Sequence, residues 1–148
     1  MPEDLPDRLE AGTHNMPGIA GLLEGLRFIR RTTPEQIARQ EMEVVSAVAA
    51  YLREIPEVHL YATGDFSHQT GVLSFVVEGL DCETAGSLLA EQGLAVRAGL
   101  HCAPLAHNTA GTLETGTVRV SVSVFNSVKQ AAIFAQNLRE IIRENARF

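Results

Sequence analysis

The stretch Thr117-Val118-Arg119-Val120-Ser121-Val122-Ser123-Val124-Phe125 alternates residue by residue. Val118, Val120, Val122 and Val124 fall on one face; Arg119, Ser121 and Ser123 fall on the other. Side chains of a strand repeat every second residue, so this pattern predicts a half-buried strand. One apolar and one polar face suit an antiparallel sheet covered on one side only. The valines are expected to meet helices. The Arg119 face needs water, an acidic partner or a ligand.

Working outward, residues 127–145 read as a helix, with Val128, Ala131, Ala135, Leu138 and Ile142 on one side. Upstream lies a stretch, 98–116, with no clear periodicity. A loop that long inside a domain is often functional. Leu94 to Arg97 reads as a short strand before it. Asp81 is a good N-cap for a helix reaching about Gln92, with Ala85, Leu88 and Leu89 inward, and Gly93 stops it. Gly71 to Glu78 and Val58 to Tyr61 read as further strands. Pro34 opens a long helix capped by Thr33, with Gln36 completing a capping-box pattern; Pro56 ends it. Another helix starts near Pro17, with Ile19, Leu22, Leu23, Leu26 and Ile29 in helical spacing. Residues before it read as extended. The predicted fold class is α+β, a small, mostly antiparallel sheet with helices packed on one face.

The chain has 148 residues, net charge −6 and 45% hydrophobic residues. The acidic balance and scattered basic residues argue against nucleic acid and against an anionic membrane surface. No apolar run approaches the roughly 20 residues a bilayer span needs. Cys82 and Cys102 lie far apart and in no metal-ligand spacing, so neither a disulfide framework nor a metal site is expected. The expected compartment is the cytoplasm.

The segment Arg97-Ala98-Gly99-Leu100-His101-Cys102-Ala103-Pro104-Leu105-Ala106-His107 opens the long loop. A cysteine acts as thiolate, and a neighbouring Arg or protonated His raises that fraction. Cysteine plus histidine alone does not separate a working thiol from an inert one. Cys82 would sit in a first helical turn, where the helix dipole favours thiolate, but Asp81 and Glu83 oppose it. The planar fork of Arg119 suits a carboxylate, and Arg97 could supply a second clamp. Gly12-Thr13-His14-Asn15 precedes a helix start, where backbone N–H groups bind anions. His59 and His68 read as surface residues.

These segments together resemble the C-terminal part of cysteine desulfurases and selenocysteine lyases, of the class V pyridoxal-phosphate aminotransferase family. Arg8-Leu9-Glu10-Ala11-Gly12-Thr13-His14-Asn15 and Pro17-Gly18-Ile19-Ala20-Gly21-Leu22 are similar to the family's entry into its small domain. The 97–107 segment is similar to its active-site cysteine loop. Gly116-Thr117-Val118-Arg119-Val120-Ser121, ending at Phe125-Asn126, resembles its substrate-arginine strand.

The resemblance implies the small domain of a fold-type I enzyme: residues 1–16 as an extended lead-in from a missing large domain and 17–148 as the C-terminal small domain. It implies Cys102 as the nucleophile that takes sulfur from L-cysteine as a persulfide, leaving alanine, with selenocysteine as the alternative substrate, from which it would take selenium. Arg119 would grip the substrate carboxylate, with Arg97 and His101 orienting substrate and loop. Gly12 and Thr13 would touch the cofactor phosphate of the partner subunit in a homodimer. A sulfur-acceptor protein is a further implied partner.

The sequence departs from the family in holding one lysine, Lys129, with no matching motif around it. Pyridoxal phosphate needs a lysine for its Schiff base. The expectation is that the complete enzyme uses that cofactor and that this chain alone binds none covalently and does not turn over. Leu100 also stands where many relatives carry another His. The alternative reading is a free-standing sulfur-carrier or protein-binding module derived from that domain. A Cys–His hydrolase would further require contact between Cys102 and a His beside an oxyanion hole.

Overall fold

The computed structural model describes residues 3–10 and 12–145. Residues 1, 2, 11 and 146–148, which belong to the expected lead-in and small domain, lie outside the described residues. The chain divides into two compact units, one ending at Gln36 and the other beginning at Ile37.

In the first unit the lead-in is not uniformly extended. Asp7–Leu9 forms a single 3₁₀ turn. The Leu9 N–H donates to the Pro6 carbonyl at 2.9 Å, and Pro6 itself has helical dihedrals. Helix α1 (Met16–Thr32) follows, with Pro17 in its first turn as expected. Asn15 caps it, its side-chain oxygen accepting from the Gly18 N–H at 3.0 Å. The stripe Ile19, Leu22, Leu23, Leu26 and Ile29 is exposed along its whole length. Thr33 ends α1 at φ +67° and caps the next helix, its hydroxyl accepting from the Gln36 N–H at 3.3 Å.

The second unit holds most of helix α2 (Pro34–Arg53), strands β1 (Val58–Tyr61) and β2 (Val72–Val77), and helix α3 (Cys82–Glu91). Strand β3 (Arg97–Gly99), helix α4 (Pro104–Ala110), strand β4 (Thr117–Ser121) and helix α5 (Val128–Asn145) complete it. The four strands are antiparallel, in the order β1-β2-β4-β3. The fold is therefore α+β, as the alternation around Arg119 predicts. Leu73 and Phe75 of β2 and Val118 of β4 point to the helices and meet Val45, Val48 and Leu52 of α2, Leu89 of α3 and Leu138 of α5. Each such buried side chain contributes about 1.5–3 kcal/mol before conformational entropy is set against it. Asp81 caps α3 as expected, accepting from the N–H groups of Glu83 and Thr84 at 3.0 Å each.

Four local expectations are corrected. The strand expected over Leu94 to Arg97 pairs only from Arg97, because Leu94 still belongs to the end of α3: its N–H donates to the Leu89 carbonyl at 3.0 Å around Gly93 at φ +74°. The stretch 98–116 is not irregular throughout. It holds α4, started by Pro104 and stopped by left-handed Gly111. Seven residues are too few for a periodicity to show. Strand β4 stops at Ser121 rather than Phe125, since Asn126 accepts from the Ser123 N–H at 2.9 Å and turns the chain. In α5, Val128 is exposed, whereas Phe134 and Ile141 are buried with the expected side.

Candidate active site: the Cys102 turn and the arginine row

The strand register aligns one row of side chains across the sheet face opposite the helices. Tyr61 pairs with Ser74, Ser74 with Arg119, and Arg119 with Arg97. Two arginines thus stand directly opposite each other on β3 and β4. Like charges at such positions repel. Among the described residues neither takes part in an ion pair, and the Nε of Arg119 is buried without a hydrogen-bond partner. A buried donor left unpaired marks a place where an acceptor belongs. Arg97 is exposed and Arg119 half-buried. Ser74 and Tyr61, which extend the row, are residues that sequence reasoning missed. Only the register of β1, β2 and β4 brings them beside Arg119.

Beyond β3 the chain makes a four-residue turn, closed by the Ala103 N–H donating to the Leu100 carbonyl at 2.9 Å. Its two central residues, His101 and Cys102, lie at φ +52° and +57°. Glycine or asparagine usually fills such positions, and other residues cost roughly 1–3 kcal/mol each there. The turn leaves Cys102 exposed as a free thiol. His101 is tied behind it, its Nε2 3.1 Å from the Thr117 carbonyl and 3.0 Å from the Thr117 hydroxyl. The carbonyl only accepts, whereas the hydroxyl accepts or donates, so a proton on Nε2 satisfies both partners and leaves Nδ1 as the basic nitrogen. Burial, and after it the charge of Arg119, push the His101 imidazole below its ordinary value; His107 and Arg97 act in the same direction.

Cys82 is the buried counterpart. It lies in the first turn of α3 and beneath Gly116, where a Cβ would come within 2.9 Å of its Sγ. Burial raises its thiol above the ordinary value, with Asp81 and Glu83 adding to the effect. Gly12 and Thr13 lie in the first unit, both exposed, with Gly12 at φ +92° and open space where a Cβ would be. His14 Nε2 lies 3.5 Å from Glu10 Oε2. His59 and His68 are exposed.

The profile of the family described as "Aminotransferase class-V" matches residues 2–134. The chain belongs to the class-V aminotransferase family. Among its relatives, the cysteine desulfurase of Synechococcus elongatus is 39% identical over 136 residues, which are 92% of this chain and 21% of that enzyme. The probable cysteine desulfurase of Pyrococcus abyssi is 34% identical over 93% of this chain and 34% of its own length. Among solved structures, apo cysteine desulfurase from Thermococcus onnurineus superposes with a TM-score of 0.83 at 35% identity, over 94% of this chain and 34% of that one. The Escherichia coli cysteine desulfurase CsdA, in an S-sulfonic acid form, gives 0.82 at 26% identity over 95% and 34%. This class-V chain therefore corresponds to a partial domain, spanning about a fifth to a third of the relatives it matches.

The family uses pyridoxal phosphate, and Gly12 and Thr13 are the exposed residues here that could reach its phosphate. Exposed backbone at Gly12 and the Thr13 hydroxyl are suitable donors for a phosphate. The aldehyde end needs an amine, and the single lysine, Lys129, is exposed in the first turn of α5. Among the described residues no helix is long and apolar enough to cross a membrane, and no group of three or more His, Cys, Asp or Glu could hold a metal ion.

Proposed function

We propose that this chain is the thiol-bearing part of a cysteine desulfurase, with Cys102 as the acceptor of sulfur from L-cysteine or selenium from selenocysteine. The observation that carries the reading is the exposed thiol on a turn of two left-handed residues, held at the edge of a sheet face with two unpaired arginines. Arg119 binds the substrate carboxylate; its unpaired buried Nε supports that assignment. Arg97 adds a second positive charge across the strand pair, and His101, whose imidazole value burial and Arg119 lower, follows β3 beside it. Gly12 and Thr13 serve the phosphate of a cofactor held mainly by another chain or segment, in keeping with a homodimer of complete enzymes.

Pyridoxal phosphate, when bound by the rest of such an enzyme, supplies the electron sink that weakens the substrate's C–S bond. The Cys102 thiolate attacks the substrate sulfur. An S–S bond forms and the C–S bond breaks; the electron pair stays on carbon, which gains a proton and leaves as alanine. Cys102 then carries the persulfide for delivery to an acceptor protein. The 148-residue chain alone does not turn over, because its single lysine, Lys129, lies exposed in the first turn of α5 with no matching motif around it. The test supplies the remaining part of a relative in trans and measures sulfide release. Cys102→Ser should lower it by about two orders of magnitude or more; release unchanged by that substitution overturns the reading.

A second reading follows from the single exposed lysine: a stand-alone sulfur carrier or protein-binding module. It expects Cys102 to accept sulfur from a separate persulfide protein with no large domain present. Mass spectrometry of the chain after such exposure separates the two, since the desulfurase part gains 32 Da only with the complementary domain and cysteine.

A further inference from the structure

Buried polar side chains are costly unless paired. Among the described residues they are three: His107, Thr112 and Thr117. His107 and Thr112 lie in the segment that leads from the Cys102 turn to β4, and Thr117 is the first residue of β4. His107 Nδ1 is 2.8 Å from the Thr112 hydroxyl. The Thr112 N–H donates to the His107 carbonyl at 2.8 Å, and its own carbonyl accepts from the Gly116 N–H at 2.9 Å. The rings of His107 and His101 lie 5.7 Å apart, tilted by 42°. His101 in turn is fixed to Thr117. A continuous chain, Thr112 to His107 to His101 to Thr117, thus backs the turn. That turn holds two residues in a conformation that persists only where its surroundings over-determine it.

We propose that Thr112, acting through His107, is a positioning residue for Cys102: its hydroxyl locks the His107 ring, which holds His101 and so the left-handed turn. This rests on the reading of Cys102 as the working thiol. The hydrogen bonds of Thr112 go to His107 and Gly116, not to Cys102. Removing its hydroxyl leaves His107 Nδ1 buried without a partner, and the ring is then free to leave its place against His101.

The test is an NMR titration of the histidine rings in the 148-residue chain, with Thr112→Val and Thr112→Ser compared. The groups acting on His101 are Arg119 of β4, Arg97 of β3 and His107 of α4. In the wild type, His101 should titrate below the ordinary imidazole range. Thr112→Val should move it up towards that range as the ring gains water, with far-UV circular dichroism unchanged. Thr112→Ser, which keeps the hydroxyl, should restore the wild-type midpoint. A His101 midpoint unmoved by Thr112→Val overturns the proposal, as does a serine variant that behaves like the valine one. Should Thr112→Val fail to fold, His107→Asn keeps an amide near the Thr112 hydroxyl and removes only the ring. It should displace the backbone amide signals of His101 and Cys102, and their constancy overturns the proposal. The role of Cys102 fails on a different measurement, sulfide release that survives Cys102→Ser, and that outcome leaves the titration result standing.

Discussion

Arg97 and Arg119 face each other across the β3–β4 pair, with no carboxylate of the described residues bridging them. A fold that kept them for stability alone would have paired them. Arg97→Gln is expected to hold or raise stability, by up to about 1 kcal/mol at low salt. In an assembly with the complementary domain it should raise the KM for cysteine. Arg119→Gln should raise it further, because Arg119 is the half-buried member with an unpaired Nε. Urea melts and steady-state sulfide release check the two halves; a stability loss at Arg97 would remove the repulsion from the account.

The lowered value of His101 implies a pH dependence of stability. Its folded value lies below its unfolded one. Its contribution is complete above the ordinary imidazole value and is lost as pH falls from there through the lowered folded value. Melting temperature should therefore drop between about pH 7 and pH 5. His101→Asn, which tolerates the positive φ, should flatten that decline.

The two thiols should separate cleanly in labelling. Iodoacetamide should modify Cys102 in the native chain and reach Cys82 only after denaturant is added, because Cys82 lies under Gly116 and Cys102 is exposed. Cys82 has its own pH signature. Its folded value is raised, so the stability it contributes is present below the ordinary thiol value and lost as pH climbs through and above it. Peptide mapping and melts at alkaline pH check both statements.

Gly116 should not accept a side chain. It sits at φ +62°, and a Cβ would lie 2.9 Å from Cys82 Sγ and 3.0 Å from the Gly99 Cα. Gly116→Ala is expected to destabilise by about 2 kcal/mol or more. Gly111, also left-handed but with open space around it, should lose less on the same change. Denaturant midpoints of the two variants give the comparison.

The alternation from Thr117 was enough to give a half-covered antiparallel sheet, because a period of two has one structural meaning. The caps at Asp81 and Thr33 were equally legible, since a cap acts through hydrogen bonds to residues two or three positions away. Arg97, His101, Cys102 and Arg119 were readable as a set only through the family resemblance that their segments carry. What they face was not. The row Tyr61–Ser74–Arg119–Arg97 depends on three pairing registers between distant segments. Helix α4 was too short for its apolar spacing to register. The buried group His107, Thr112 and Thr117 is invisible one residue at a time, because a threonine in a loop is normally a solvated one. Sequence settled which residues alternate, cap and break. Only tertiary structure decided which polar groups leave water together, since burial is a property of the packed whole and each such group must find its partner there.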